Sequence, residues 1–89
     1  MNMPRWTKAT KNGFRWFLSQ WVKDYATHTP VYYASAQKRC TEETRSGGEA
    51  VYYRYIGQKA EFDTTEDRDA FVRSTDPEAW AVSNPRADD

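Results

Sequence analysis

The sequence predicts an α+β domain in the order α-β-β-β-α, with a three-stranded antiparallel sheet covered by helices on one face and open on the other. Three observations lead there. Residues 14–26 repeat their apolar side chains at helical spacing, residues 31–40 and 50–56 are rich in aromatic and β-branched residues, and residues 63–66 and 75–78 carry helix-start signals.

Taken in order, residues 1–12 read as an irregular basic arm that ends at the Asn12-Gly13 breaker. In the first helix, Phe14, Phe17, Leu18, Trp21, Val22 and Tyr25 share one face, with Asn12 or Thr10 as its cap and the Thr27–Pro30 segment as its stop. Val31 to about Cys40 forms the first strand. A polar connection then turns at Ser46-Gly47-Gly48, and Ala50–Ile56 forms the second strand. Gly57-Gln58 fits a two-residue hairpin turn with glycine first, so Lys59–Phe62 becomes a short third strand. Asp63-Thr64-Thr65-Glu66 has the form of a capping box, opening a helix from Glu66 to Arg73. Asp76-Pro77 opens a final helical turn carrying Trp80, and residues 83–89 are a polar tail. The expected organisation is one domain, with its folded core in residues 13–82.

Composition bounds the function. The chain has 89 residues, with Leu18 and Ile56 as its single leucine and isoleucine, so the core must be built from its four Trp, six Tyr, four Phe and the valines. No apolar run is long enough for a membrane helix, and MNMPRW lacks the apolar stretch of a signal peptide. A single cysteine, Cys40, excludes an internal disulfide framework and suits a reducing cytoplasm. Net charge is zero but unevenly spread: residues 1–23 hold five cations and no acid, while residues 61–89 hold nine acids against Arg68, Arg73 and Arg86. Such a chain either closes basic end on acidic end or points a basic arm at an acidic partner.

Period-two alternation separates the strand faces. Because an unpaired arginine is rarely buried, Val51, Tyr53 and Tyr55 are expected to face the helices, as are Tyr32, Ala34 and Ala36. Tyr33, Gln37, Arg39, Tyr52 and Arg54 then share the open face, which Lys59 extends. Trp16 falls opposite the helical stripe, beside Gln20 and Lys23, and either joins that surface or packs under the arm against Trp6. Tyrosine and arginine dominate interface hot spots, so Tyr33, Gln37, Arg39, Tyr52, Arg54, Trp16 and Lys23 form the expected partner-binding set. The structural alternative is that these tyrosines simply make cross-strand pairs.

Catalytic, cofactor and metal signatures are missing from the sequence, so no cofactor is expected. His28 and Cys40 are placed at opposite ends of a strand, out of reach of each other. The expectation is a non-enzymatic module that binds a host protein or nucleoprotein complex. Two alternatives are a single-stranded nucleic-acid binder using the open face and a homodimer formed through it.

Two resemblances bear on this. The α-β-β-β-α order resembles the double-stranded-RNA-binding domain. That family's phosphate-gripping lysines would fall in TTEDRDAF, where Glu66, Asp67 and Asp69 stand instead. The AEFDTTEDRDAF segment, residues 60–71, resembles the strand-to-helix junction of small phage-encoded anti-CRISPR proteins of the type I-F inhibitor group. That resemblance implies a phage or mobile-element inhibitor that occludes a host complex such as a CRISPR effector.

Overall fold

The computed structural model describes residues 5–87. Three strands, β1 (Phe14–Asp24), β2 (Thr29–Glu43) and β3 (Glu49–Phe62), form one antiparallel sheet in sequential order, followed by helices α1 (Thr65–Ser74) and α2 (Pro77–Ser83). The class is α+β with an open sheet, as the sequence predicts, but the order is β-β-β-α-α.

The first predicted helix is strand β1. Its apolar residues satisfy both periods, and the one ring that spoils the helical stripe, Trp16, fits the strand pattern. Phe14, Trp16 and Leu18 alternate onto one face and are buried. Aromatic residues also suit a pleated surface better than a helix. His28, expected at a helix end, instead lies in the β1–β2 connection with φ of 53°.

The predicted turn at Gly57-Gln58 does not reverse the chain. Ala36 pairs with Ile56 and Ala34 with Ala60, so residues 57–59 face Ser35 alone and form a bulge within a single long strand. The bulge serves as the seat of α2. Asn84 accepts a hydrogen bond from the Gln58 amide at 2.8 Å, and the Trp80 Nε1–H donates to the Gln58 carbonyl at 2.7 Å. Both backbone groups of Gln58 are thereby satisfied.

The helix signals are borne out with one shift. Thr64, not Asp63, caps α1, its side chain accepting from the Asp67 amide, and Asp76 caps α2 with Pro77 in the first turn. The core lies between the helices and the sheet centre. Ala34 and Ala36 are fully buried on the middle strand, and their small side chains leave room for larger ones around them. Trp16, Leu18 and Val72 fill that room, with Ile56, Phe71, Trp80 and Ala81 packed against them. Phe71 is the hub, with ring centroids 5.2 Å from Trp16, 5.2 Å from Phe62 and 5.0 Å from Trp80.

β1 pairs with β2 only as far as Lys38, so the distal ends of β2 and β3 run on as a two-stranded ribbon, consistent with a longest dimension of 50 Å. The helices stop short of it. That placement decides the exposure of Tyr52, Tyr53, Arg54 and Tyr55 in β3.

Candidate functional site

The expected orientation of β3 is inverted. Register pairs Lys38 with Arg54 and Cys40 with Tyr52, and Lys38 lies opposite Phe14 in β1, so Tyr52, Arg54 and Ile56 share the helix side. Val51, Tyr53 and Tyr55 share the helix-free face. The premise that arginine stays out of the core is correct, but Arg54 is exposed because the helical layer ends beside Ile56. An exposed residue on an uncovered ribbon does not report which face it occupies.

The remaining expected site residues divide in the same way. Tyr33 and Arg39 do lie on the helix-free face, opposite Glu61 and Tyr53. Gln37 lies there too but is only 4% exposed, and its Oε1 accepts a 2.8 Å hydrogen bond from Arg15 Nε, so it holds Arg15 in place and offers little surface of its own. Trp16 leaves the set altogether. It is 2% exposed on the helix side, and its Nε1–H donates to the Thr75 carbonyl at 2.9 Å. It packs against neither solvent nor Trp6. Lys23 is exposed near the end of β1, beside a pocket bounded by Trp21, Glu61 and Asp63.

What the structure assembles on the helix-free face is an array of rings, four of them with a cation against the ring. The Arg15 guanidinium sits 3.4 Å from the centroid of Tyr53 and 5.1 Å from that of Trp6. Arg5 lies 5.5 Å from the Phe17 ring, and Lys59 Nζ lies 5.0 Å from the Tyr33 ring. Phe17 links the groups, edge-on to Tyr55 at 5.7 Å and tilted against Trp6 at 6.0 Å. Cation–π contact is worth roughly 0.5–1 kcal/mol at exposed sites. Its greater effect here is to fix where long basic side chains stand.

The N-terminal segment completes this surface. The Leu18 amide donates to the Arg5 carbonyl at 2.8 Å and the Thr7 amide to the Trp16 carbonyl at 3.0 Å, laying residues 5–7 along the outer edge of β1. Trp6 thereby reaches Phe17 across the sheet face. Residues 1–4 of the basic arm lie outside the described residues.

Both sides carry mixed charge, with Glu43, Glu49 and Glu61 on the helix-free face and Lys38 and Arg54 on the helix side. Arg5, Arg15, Arg39 and Lys59 lie on the helix-free face, and none forms an ion pair among the described residues. The acids Glu66, Asp67, Asp69, Asp76 and Glu78 lie in or beside the helices. Trp6, Trp21, Val51 and Tyr55 are large apolar residues exposed on the same face as the cations. Between Tyr33, Ser35, Tyr55 and Lys59, at the bulge, the face dips into a pocket of about 210 Å³.

Arg5, Trp6, Arg15, Phe17, Tyr53 and Tyr55 were not in the expected set. For β1 the usable signal was the alternation of Arg15, Phe17, Ser19 and Trp21 against Phe14, Trp16 and Leu18. No group of three or more metal-binding side chains occurs among the described residues. No helix among them is long and apolar enough to cross a membrane. No known protein family, curated protein or solved structure matches this chain.

Proposed function

We propose that this chain is a non-enzymatic binding module whose helix-free sheet face docks the acidic surface of a protein partner. The observation that carries this reading is the set of pre-positioned cations, Arg5, Arg15 and Lys59, each lying against a ring and none in an ion pair among the described residues. Cations already held in place lose less side-chain freedom on binding, and their field steers an acidic partner toward the face. Exposed Trp6 and Tyr55 supply the apolar anchors that an interface places among its charges. A module of this kind acts by occupancy, as an inhibitor or accessory factor that covers part of a larger host complex such as a CRISPR effector.

A nucleic-acid strand is the second reading, supported by the same exposed rings beside basic groups. The protein partner is favoured because Tyr53, Tyr33 and Phe17 each already have a cation of their own chain against the ring. A base would have to displace that cation to stack.

Fluorescence anisotropy with a labelled poly-glutamate peptide and a labelled oligo-dT, titrated across salt, tests both readings. Tighter binding of the peptide supports the protein partner. Tighter binding of the oligonucleotide, with a slope of log affinity against log salt near about −3 for four neutralised phosphates, replaces it with the nucleic-acid reading. Binding of neither refutes the cationic face as a docking surface.

A further inference from the structure

The two edges of the sheet are treated differently. Residues 5–7 run along the edge of β1, and α2 occupies the edge of β3 at the bulge. Residues 50–56 of β3 have no such cover among the described residues. An exposed edge is ordinarily protected by proline, lysine, a bulge or an overlying segment. AVYYRYI has one charged side chain, Arg54, and no proline, lysine, bulge or overlying segment among the described residues.

Backbone phase shows which groups point outward. The Thr44 amide donates to the Gly48 carbonyl at 2.9 Å, and the Arg39 amide donates to the Gly13 carbonyl of the β1 side at 2.7 Å. By antiparallel alternation, residues 50, 52, 54 and 56 bond inward to β2, while residues 51, 53 and 55 direct their N–H and C=O groups to the open edge.

We infer that β3 pairs with β3 of a second copy of this chain, antiparallel about a two-fold axis at Tyr53. In that register Tyr53 lies opposite its own counterpart and Val51 opposite Tyr55, so all three outward-directed residues bond across the axis. On the helix side the same register sets Tyr52 opposite Arg54 twice, a ring against a guanidinium. Moving the axis to Arg54 would instead oppose two arginines, and moving it to Tyr52 would leave Arg54 opposite Ala50. The zero net charge of the chain opposes association only weakly. A two-fold perpendicular to the sheet keeps both helix-free faces on one side, so the dimer carries one continuous six-stranded face. The inference does not depend on the partner proposed for that face.

Sedimentation equilibrium over a concentration series, with two sets of variants, provides the test. The wild type is expected to reach twice the 10.4 kDa chain mass. Val51→Pro removes a donor that β2 does not use and so two bonds from the symmetric interface. At roughly 1 kcal/mol each, this is about a 30-fold rise in the dimer Kd. In a Cys40→Ser background, Tyr53→Cys places two thiols on the axis, about 5.5 Å apart at Cα and within disulfide range. Glu49→Cys places them roughly 27 Å apart along the strands. Rapid oxidative cross-linking of the first and not the second supports the register. A wild type that stays monomeric at every concentration, or equal cross-linking at the two positions, overturns it. So does a Val51→Pro variant that folds and dimerises with unchanged Kd.

Discussion

Gly57 and Ala81 meet backbone to backbone: a Cβ placed on Gly57 would lie 2.8 Å from the Cα of Ala81, and Gly57 has φ of +69°. The bulge in β3 is therefore seated against α2 with no room for a side chain, and the left-handed conformation also favours glycine. Gly57→Ala is expected to lower stability by about 2–4 kcal/mol, combining conformational strain and overpacking. Urea denaturation checks this. A change well under 1 kcal/mol would mean that α2 does not dock on the bulge.

Trp16 belongs to the core and not to a binding surface. Trp16→Ala should cost about 3–5 kcal/mol, a large part of the stability of so small a domain. Trp16→Phe preserves much of the packing on Phe71 but leaves the Thr75 carbonyl without its donor, at about 1–3 kcal/mol. Thermal and chemical melts that place both variants near wild type would contradict the strand assignment of residues 14–24.

Arg15 and Gln37 act as a pair. Removing Arg15 leaves the buried Gln37 oxygen without a partner, so Arg15→Ala should destabilise by about 1–3 kcal/mol. Arg15→Met combined with Gln37→Leu removes both polar groups and should recover much of that loss. A double-mutant cycle with no coupling would show that Gln37 does not position the guanidinium.

Face assignment in β3 separates two neighbouring tyrosines. Tyr55→Ala removes an exposed ring that stands edge-on to Phe17, and should weaken binding at the helix-free face by about 2 kcal/mol, as an aromatic anchor does. Tyr52→Ala, on the opposite side, should leave that binding unchanged. Reversed effects, read by anisotropy against the poly-glutamate peptide, would restore the orientation expected from the sequence.

Much of the fold is legible in the sequence, and each miss has a physical cause. The caps at Thr64 and Asp76 are local, settled by one side chain and the next three residues, so both helices could be read. Residues 14–24 fit two periods at once, and what selects the strand is non-local: β2 needs a neighbour, and Trp16 needs Phe71, which lies far along the chain. Gly57 suits a turn or a bulge equally by its backbone preference, and the choice is made by α2 docking on Gln58. The face of Tyr33 and Arg39 is legible because their strand carries Ala34 and Ala36 as unambiguous inward residues. The face of Tyr52 and Arg54 is not legible, because the ribbon beyond the helices is exposed on both sides and alternation alone cannot orient it.

The most direct test of the proposed docking face is a pair of charge reversals read by affinity for the poly-glutamate peptide at low salt. Arg39→Glu with Lys59→Glu alters only the helix-free face, and Lys38→Glu with Arg54→Glu applies the same change in charge to the opposite side. With both variants folded, the first is expected to lose binding by at least about 100-fold, and the second to stay within severalfold of wild type. Equal losses from the two would show that binding follows net charge and not the helix-free face, and would contradict the proposed face.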